Sequence, residues 1–382
     1  MAGALIWPVK VAGLIRAYTR AFGPTVTEAT GKTVALQRRE QARLALTHAL
    51  SPEAYYTFAL YQPDQFVQAI LYLHHFELTS LQRALDGGDA GARQLEDKLR
   101  LAGLLQEAGV PTVPCCAVAR EGRVHFPDPS LRKMPATDVF IKPIRGSRGV
   151  GAMLWECVAP GLYRSESAAA ALQACGMTAQ SGAGTSLLLY ADDLVRLLER
   201  LSLQQPWIVQ ERVRSHPALA DLAVLGAVSI RLLTGRVAGG SEALRAVLQI
   251  PLGRSVVSNS GLLAPIDCET GILGRATIFG PSRCRYTRHP DTGAEIEGRV
   301  VPQWQDCLHA AQRAHACFPD VTFIGWDVVV TPSGPIVLEG NWGWDPVSLQ
   351  KPHGKPLLDG RFAEICLARL DQRRVQRSAH PE

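Results

Sequence analysis

The sequence predicts an α+β protein in which a helical N-terminal segment precedes a single α+β body. Residues 1–105 carry helix signals and few strand signals, such as Ser51 in an N-cap position before Pro52. After Gly109, short β-like runs alternate with helical ones. With 382 residues, 47% hydrophobic and 20% charged, the composition is that of a folded globular protein and excludes wholesale disorder.

The N-terminal 23 residues predict an amphipathic helix. They are apolar, with Lys10, Arg16 and Arg20 interspersed, and the interruption at Pro8 and Lys10 does not fit a secretory signal. Two interpretations stay open: a helix packed on the body, or a helix lying on a membrane surface. The longest uncharged stretch, residues 167–191, is too polar to cross a bilayer, so no transmembrane segment is expected.

The rest of the N-terminal segment predicts a packed helical core. Six aromatic residues fall between Tyr55 and Tyr72, a density typical of core packing. A turn at residues 86–89 precedes a predicted helix over residues 90–108, which ends at Gly109, a common C-terminal cap.

The strands of the body are predicted from short hydrophobic runs, which polar and Gly-rich segments separate. Strands are predicted over residues 116–118, 139–142, 152–157, 207–211, 227–233, 244–249, 322–330 and 335–341, and helices over residues 191–203 and 304–317. Residues 165–186 predict a loop or weak helix, and residues 371–382 a solvated helix end or tail.

Charge and cysteine usage limit the partners and the compartment. The net charge of +5 is thinly spread and does not indicate a nucleic-acid partner. Nine cysteines without a C-x-x-C pair predict reduced thiols and a cytoplasmic protein. Only seven of the 40 basic residues are lysine. The oligomeric state is left open.

A glycine-rich loop follows the predicted strand that ends at Lys142. Glycines let a backbone approach an anion closely, and here the loop runs into another strand rather than into a helix. The pattern therefore predicts a β-hairpin flap over phosphates with Lys142 at its base; an ordinary glycine hairpin is the alternative. The flap residues are Arg145, Gly146, Ser147, Arg148, Gly149, Val150 and Gly151.

Two apolar strands that carry carboxylates form the strongest signal. If Pro332-Ser333-Gly334 is a three-residue loop, counting back places Asp327 opposite Glu339, with Asn341 on the same face. Buried carboxylates need a cation nearby, and Mg²⁺ prefers carboxylate and phosphate oxygens. The predicted metal ligands are Asp327, Glu339 and Asn341; two exposed acids are the alternative.

These motifs, in this order, resemble those of the ATP-grasp superfamily, which includes D-alanine–D-alanine ligase. The resemblance spans residues 95–359 and implies an ATP-grasp fold that binds ATP and two Mg²⁺ ions. It implies nucleotide contacts from Lys98 and Lys142, two of the seven lysines. It also implies adenine contacts from the strand segment Gln210, Glu211, Arg212 and Val213.

Within the superfamily the sequence is most similar to the sugar-transfer-associated ATP-grasp proteins. The similarity includes residues 50–56, the strand residues 228–234, residues 258–267 and the ending 325–342. Better-known ligases have an arginine two residues before the metal aspartate, where this chain has Gly325. Arg231 or Arg254 is expected to supply that charge. Those ligases also begin with a small α/β domain, whereas this segment is predicted to be helical.

The resemblance implies an ATP-dependent carboxylate–amine ligase that acts through an acyl phosphate, with Lys142 and Arg231 as catalytic residues. Its substrates would be a small-molecule carboxylate and an amine, from natural-product or surface-polysaccharide biosynthesis. A small-molecule kinase using the same site, and a non-enzymatic nucleotide-binding regulator, are the alternatives. Lys351, His353 and Lys355 could grip an acidic substrate or form a solvated loop.

The domain boundaries follow from the same motifs. We expect a helical segment over residues 1–94, an ATP-grasp domain over residues 95–370 and a tail over residues 371–382. Within the domain, a lysine and flap subdomain covers residues 95–205, and a metal-binding subdomain covers residues 206–370.

Overall fold

A computed structural model describes residues 2–127, 133–146, 149–178, 180–181, 186–257 and 261–379. It contains N-terminal helices and two antiparallel sheets, which confirms the predicted α+β class. No helix in these ranges is both long enough and apolar enough to cross a membrane. All nine cysteines are free thiols.

The N-terminal segment is helical, as predicted. Its helices are α1 (Ala2–Thr30), α2 (Val34–His48), α3 (Pro52–Thr57), α4 (Pro63–Val67), a 3₁₀ turn (Ala69–Leu71), α5 (His75–Asp86), α6 (Ala90–Glu96) and α7 (Lys98–Glu107). Ser51 caps α3, since its side chain accepts from the Ala54 amide at 3.3 Å. The predicted aromatic core is present: Tyr55, Tyr56 and Tyr72 are among the buried residues of one cluster.

The single helix expected over residues 90–108 is two helices. The Asp97 carboxylate accepts from the amides of Leu99 and Arg100, both at 3.1 Å, and so caps a new helix, α7. Asp97 itself has an extended backbone, with ψ of 100°. The predicted C-terminal end is right, since Gly109 adopts a φ of +64° just beyond α7.

The first sheet has eight strands in the order β2-β1-β8-β3-β4-β5-β7-β6. These are β1 (Cys115–Arg120), β2 (Arg123–His125), β3 (Val139–Pro143), β4 (Met153–Ala159), β5 (Leu162–Ser165), β6 (Gln180–Ser181), β7 (Leu187–Tyr190) and β8 (Trp207–Glu211), with helices α8 (Ala169–Ala174) and α9 (Ala191–Ser202). The loop or weak helix expected over residues 165–186 is partly wrong: α8 lies there, but strand β6 does too.

The second sheet has six strands in the order β12-β11-β10-β9-β13-β14. These are β9 (Ser229–Val237), β10 (Gly240–Ile250), β11 (Leu262–Ile266), β12 (Thr277–Ile278), β13 (Phe323–Thr331) and β14 (Gly334–Asn341). The helices of this half are α10 (Pro217–Ala220), α11 (Trp304–Ala316), α12 (Pro346–Gln350) and α13 (Arg361–Ala379). Helix α13 continues through residues 371–379, part of the expected tail.

The two faces of the second sheet pack against different layers. Helix α11 covers one face, where Ile230, Leu248 and Trp326 are buried. The other face, with Leu233 and Val247, packs against helices α5, α12 and α13. Helix α5 is fixed to this sheet because the Gln82 side chain donates to the carbonyls of Phe323 (2.9 Å) and Trp342 (3.0 Å). The N-terminal segment is therefore anchored on the second sheet.

The β13–β14 hairpin differs from its predicted register near the turn. Thr331 pairs with Gly334, so the loop has two residues, Pro332 and Ser333, rather than three. A bulge at Leu338 adds one residue on β14, and Asp327 consequently still pairs with Glu339. The predicted pair is present, although the assumed loop is wrong.

Candidate active site

A cleft lies between the two sheets, and strands from both supply its walls. Its lining includes most of the residues expected to contact a nucleotide: Lys98, Lys142, Arg145, Gly146, Gly149, Val150, Gln210, Glu211, Arg212 and Val213. It also includes two of the three predicted metal ligands, Asp327 and Glu339. Ser147 and Arg148 lie outside the described residues. Gly151 is next to the lining residues Val150 and Ala152, with a φ of +79°.

Two lysines enter the cleft from different elements. Lys142 lies on β3, two residues after Phe140, and its ammonium is 6.0 Å from the centre of the Phe140 ring. Lys98 is the first residue of α7; its Nζ donates to the Gly146 carbonyl at 2.8 Å and lies 4.0 Å from Glu339 Oε2. Lys98 therefore connects the base of the flap to the carboxylate hairpin across the cleft.

The strand predicted to hold adenine, β8, lies at the back of the cleft. Arg212 uses its amide within the sheet, donating to the Asp138 carbonyl at 2.9 Å. Its guanidinium contacts Asp138 (3.2 Å) and Glu156 (3.1 Å) and donates to the Leu225 carbonyl (2.7 Å). The Arg212 side chain thus ties the two halves of the molecule together behind the cleft.

The carboxylates lie on the opposite wall. On neighbouring strand β9, Arg231 is paired in register with Asp327. Its Nε donates to Asp327 Oδ1 at 2.6 Å and its Nη2 donates to Oδ2 at 3.0 Å. This bidentate pair is shielded from water, which strengthens it. Two donors of Arg231, the residue for which the family resemblance implies a catalytic role, are therefore engaged by Asp327.

Burial and neighbouring charges of both signs shift the pKa values of Asp327, Glu339 and Lys142. Burial, together with the neighbouring Glu339 carboxylate, raises the pKa of Asp327 despite the opposing effect of Arg231. Burial alone would also raise the pKa of Glu339, but Lys142 and Lys98 hold it below its usual value. Burial lowers the pKa of Lys142, against the attraction of Glu339. The cleft is a desolvated site in which added phosphate or metal charge would be felt strongly.

The third predicted metal ligand, Asn341, lies beside Asp327. Its Nδ2 is 3.3 Å from the Gly325 carbonyl and 3.5 Å from Asp327 Oδ2. Among the residues that the structure describes, no cluster of three His, Cys, Asp or Glu side chains could hold a metal. Two carboxylates and an amide oxygen are ligand types that fit Mg²⁺, which takes only one or two carboxylates. In this structure the Asn341 amide directs its nitrogen, and not its oxygen, at Asp327.

Gly325 has no room for a side chain. A Cβ there would lie 2.5 Å from Trp344 Cβ and 3.5 Å from Arg231 Cδ. The Arg231 side chain therefore passes beside position 325, where the sequence comparison expects an arginine in better-known ATP-grasp ligases. Arg254, the other candidate, instead pairs with Glu166 at 2.7 Å on the surface.

The basic residues after the hairpin do not form a solvated loop. Lys351 is buried, and its ammonium donates to the carbonyls of Ile278 and Gly280. His353 hydrogen-bonds the Ala246 carbonyl at 2.9 Å, whereas Lys355 is exposed. Lys351 and His353 thus fix the segment after β14 onto strands β10 and β12.

Several lining residues were not predicted from the sequence. Ser229 and Gln249 face each other on β9 and β10, 3.0 Å apart, and both line the cleft. Ser229 lies two residues before Arg231, so strand alternation alone could have placed it on the same face. Leu225, Val256 and the bulged Leu338 add apolar surface that no local motif indicates.

Two antiparallel sheets enclose a cleft lined by lysines and carboxylates, which is the arrangement that the resemblance to ATP-grasp proteins predicts. The model of the sugar-transfer associated ATP-grasp family matches residues 89–365. The chain belongs to that family, which confirms the resemblance read from its motifs. The match begins inside the N-terminal segment, close to the start of α6.

Comparison with solved structures returns ATP-grasp ligases at low similarity. D-alanyl-alanine synthetase A from Vibrio cholerae is 11% identical, with a TM-score of 0.41 and coverage of 76% of this chain and 67% of that one. L-amino acid ligase from Bacillus licheniformis is 9% identical, with a TM-score of 0.36 and coverage of 71% and 50%. This chain thus spans half of that ligase. Among curated proteins, no significant match was found.

Proposed function

We propose that this protein is an ATP-dependent carboxylate–amine ligase, in which ATP phosphorylates a carboxylate and an amine then displaces phosphate. The observation that carries the proposal is the meeting of Lys98 and Lys142 with Asp327 and Glu339 across one cleft. Cations beside a flap and a carboxylate pair facing them suit phosphoryl transfer, which depends on positioning and charge stabilisation.

The described residues have distinct proposed roles. Phe140, Leu338 and the β8 segment 210–213 enclose the adenine, while the flap glycines bring backbone amides close to the phosphates. Lys142 and Lys98 stabilise the negative charge that develops on the leaving diphosphate. Because the pKa of Lys142 is lowered by burial, its charge depends on nearby anions, which phosphates supply.

Asp327, Glu339 and Asn341 would hold Mg²⁺. When bound there, two Mg²⁺ ions would neutralise the charge of the β- and γ-phosphates. Arg231 is assigned as a positioning residue, because both of its fork donors orient Asp327. With that orientation fixed, Asp327 keeps one defined rotamer on the cleft wall.

The proposed reaction requires no nucleophile from the protein. The substrate carboxylate oxygen attacks the γ-phosphorus of ATP and releases ADP, and the resulting acyl phosphate is attacked by the amine nitrogen. An amide forms, phosphate leaves and the amine loses its proton. The family description, sugar-transfer associated, supports a role in surface-polysaccharide or natural-product biosynthesis. The free thiols support a cytoplasmic location.

Product analysis tests this proposal. Acids and amines are screened by ADP release, and the products of active pairs are identified by mass spectrometry. ADP and phosphate that form only when both an acid and an amine are present, with an amide product, support ligation. A stable phosphorylated acceptor would instead identify a kinase and overturn the ligase proposal.

Glu339→Gln tests the carboxylate pair. This near-isosteric change removes the charge that faces Lys98 and Lys142, so we expect ATP turnover to fall by about 100-fold or more while the fold is retained. Glu107→Gln, on the exposed end of α7, is the matched control and is expected to turn over ATP as the unmodified protein does. Undiminished turnover in Glu339→Gln would refute the assigned role.

A further inference from the structure

The net charge of +5 is not thinly spread along the chain, as expected from the composition, but is concentrated in the segment of the first two helices. Residues 1–50 hold seven basic and two acidic residues, a net charge of +5, whereas the other 332 residues hold 33 of each sign. The α1–α2 hairpin therefore accounts for the entire formal charge of the protein. The remaining 332 residues, which include those of the cleft, have no net charge, and none of the seven basic residues of the hairpin lines the cleft.

Six of the seven cations of the hairpin are exposed, and the seventh, Lys32, is half-buried. Lys32 pairs with Glu40 at 2.7 Å. The other six are exposed and form no ion pair with any residue that the structure describes: Lys10, Arg16, Arg20, Arg38, Arg39 and Arg43. Arg43 also lies 5.8 Å from the centre of the Phe66 ring. Like charges gathered on one hairpin repel one another, so a negatively charged partner would be bound favourably.

Exposed leucines lie among these arginines. Helix α1 buries Val11 and Ile15 against Ala45 of α2, while Leu14 on its outer side stays 39% exposed. On α2, Leu36 is 41% and Leu46 is 74% exposed. The outer face of α2 reads Leu36, Arg39, Arg43, Leu46 at spacings of three and four residues, which places all four side chains in one stripe.

The start of α1 is also mostly apolar. Residues 2–9, whose backbone is helical, read Ala-Gly-Ala-Leu-Ile-Trp-Pro-Val and contain no charge. A tryptophan and aliphatic residues next to lysine and arginine are the composition of helices that lie in a membrane interface. Nucleic acid would engage the cations but gives no reason for exposed leucines and an uncharged lead-in.

We infer that the α1–α2 hairpin binds the surface of an anionic lipid membrane, with its arginines at lipid phosphates and its leucines and lead-in among the acyl chains. Positive side chains near an anionic membrane and buried apolar area both add to such binding, and it weakens as salt screens the charges. The protein is then peripheral, held by one surface, with the ATP cleft built from the other elements.

Vesicle co-sedimentation of the full-length protein tests the inference. We expect binding to vesicles of phosphatidylcholine with phosphatidylglycerol, little binding to phosphatidylcholine alone, and loss of binding in high salt. The triple variant Arg16→Glu, Arg20→Glu and Arg39→Glu should bind about tenfold more weakly or worse. A control reverses Arg120, Arg123 and Lys133, exposed residues of the first-sheet half, to Glu; it has the same net charge and should bind normally.

Two further measurements separate the inference from its alternatives. Leu36→Ser with Leu46→Ser should also weaken vesicle binding, since a purely electrostatic surface would not respond to loss of leucine. Thermal unfolding and ADP release confirm that each variant is folded. No binding to anionic vesicles, equal losses in both triple variants, or tight binding to duplex RNA or DNA without vesicle binding would overturn the inference.

Discussion

At the scale of single residues, one glycine and one arginine define the carboxylate wall. Gly325 has Trp344 against one side and the Arg231 side chain beside it, so the guanidinium reaches Asp327 from the neighbouring strand. The positive charge beside Asp327 thus comes from the neighbouring strand β9 and not from a residue of β13 itself. Any side chain at position 325 would displace either Trp344 or Arg231.

Gly325→Ala is therefore expected to destabilise the protein by about 1–3 kcal/mol, because overpacking a filled core forces its neighbours to move. ATP turnover should fall too, since Arg231 orients Asp327. Gly343→Ala is the control: a Cβ there meets nothing within 4 Å. Urea unfolding and ADP release measure both variants, and equal effects of the two substitutions would contradict the steric explanation.

The arginine's partner could not have been found from local sequence. Arg231 and Asp327 are 96 residues apart, and only the β9–β13 register brings them together. Ser229, by contrast, follows from strand alternation once Arg231 is placed. The Asp327–Glu339 pair was predictable because both residues lie on one hairpin, where the separation along the chain is short.

At the scale of elements, the break between α6 and α7 positions Lys98 in the cleft. Composition alone favours one continuous helix over residues 90–108. The Asp97 side chain instead caps the amides of Leu99 and Arg100, so Lys98 becomes the first residue of a new helix. From that position its ammonium reaches both Gly146 and Glu339.

Asp97→Ala should cost about 1 kcal/mol of stability, the usual value of an N-cap. It should also raise the KM for ATP, because Lys98 would lose its fixed starting point. Asp97→Asn keeps the cap without the charge and is expected to restore both properties. Chemical denaturation and steady-state ADP release are the measurements; failure of Asn to rescue would show that charge, rather than capping, matters.

Strands of the first-sheet half show where sequence patterns lose their predictive value. The bounds of β8, residues 207–211, match the prediction because its apolar run is short and sharply limited. Strands β6 and β7 lie in or beside a segment rich in Gly, Ala and Ser. They are stabilised by pairing, since β7 pairs with both β5 and β6. Whether such a segment forms a strand depends on the strands beside it, and the sequence of the segment alone does not show those neighbours.

At the scale of the whole molecule, two buried histidines and one half-buried histidine link stability to pH. Burial lowers the pKa of His74, His315 and His353 to about 4 in each case. They lie in the N-terminal segment, on α11 and after α12 respectively. In the unfolded chain each would protonate near its ordinary pKa of 6.5, so the folded state binds fewer protons between these values.

Stability should therefore be fully present above about pH 6.5 and decrease as the pH falls toward 4. We expect the melting temperature to drop between pH 7 and pH 5. The free energy of unfolding should depend less on pH in His315→Gln or His353→Gln, whereas the exposed His309→Gln should behave as the unmodified protein does. A flat profile from pH 7 to pH 5 would contradict this explanation.

Because of the bulge at Leu338, the shape of the cleft wall can change without a change in the position of the carboxylates. A one-residue slip of the turn, to a three-residue loop without the bulge, would leave Asp327 opposite Glu339. It would exchange Val337, now in the core, with Leu338, now on the cleft wall. A change in turn length would therefore reshape this wall of the cleft and leave the Asp327–Glu339 pair in place.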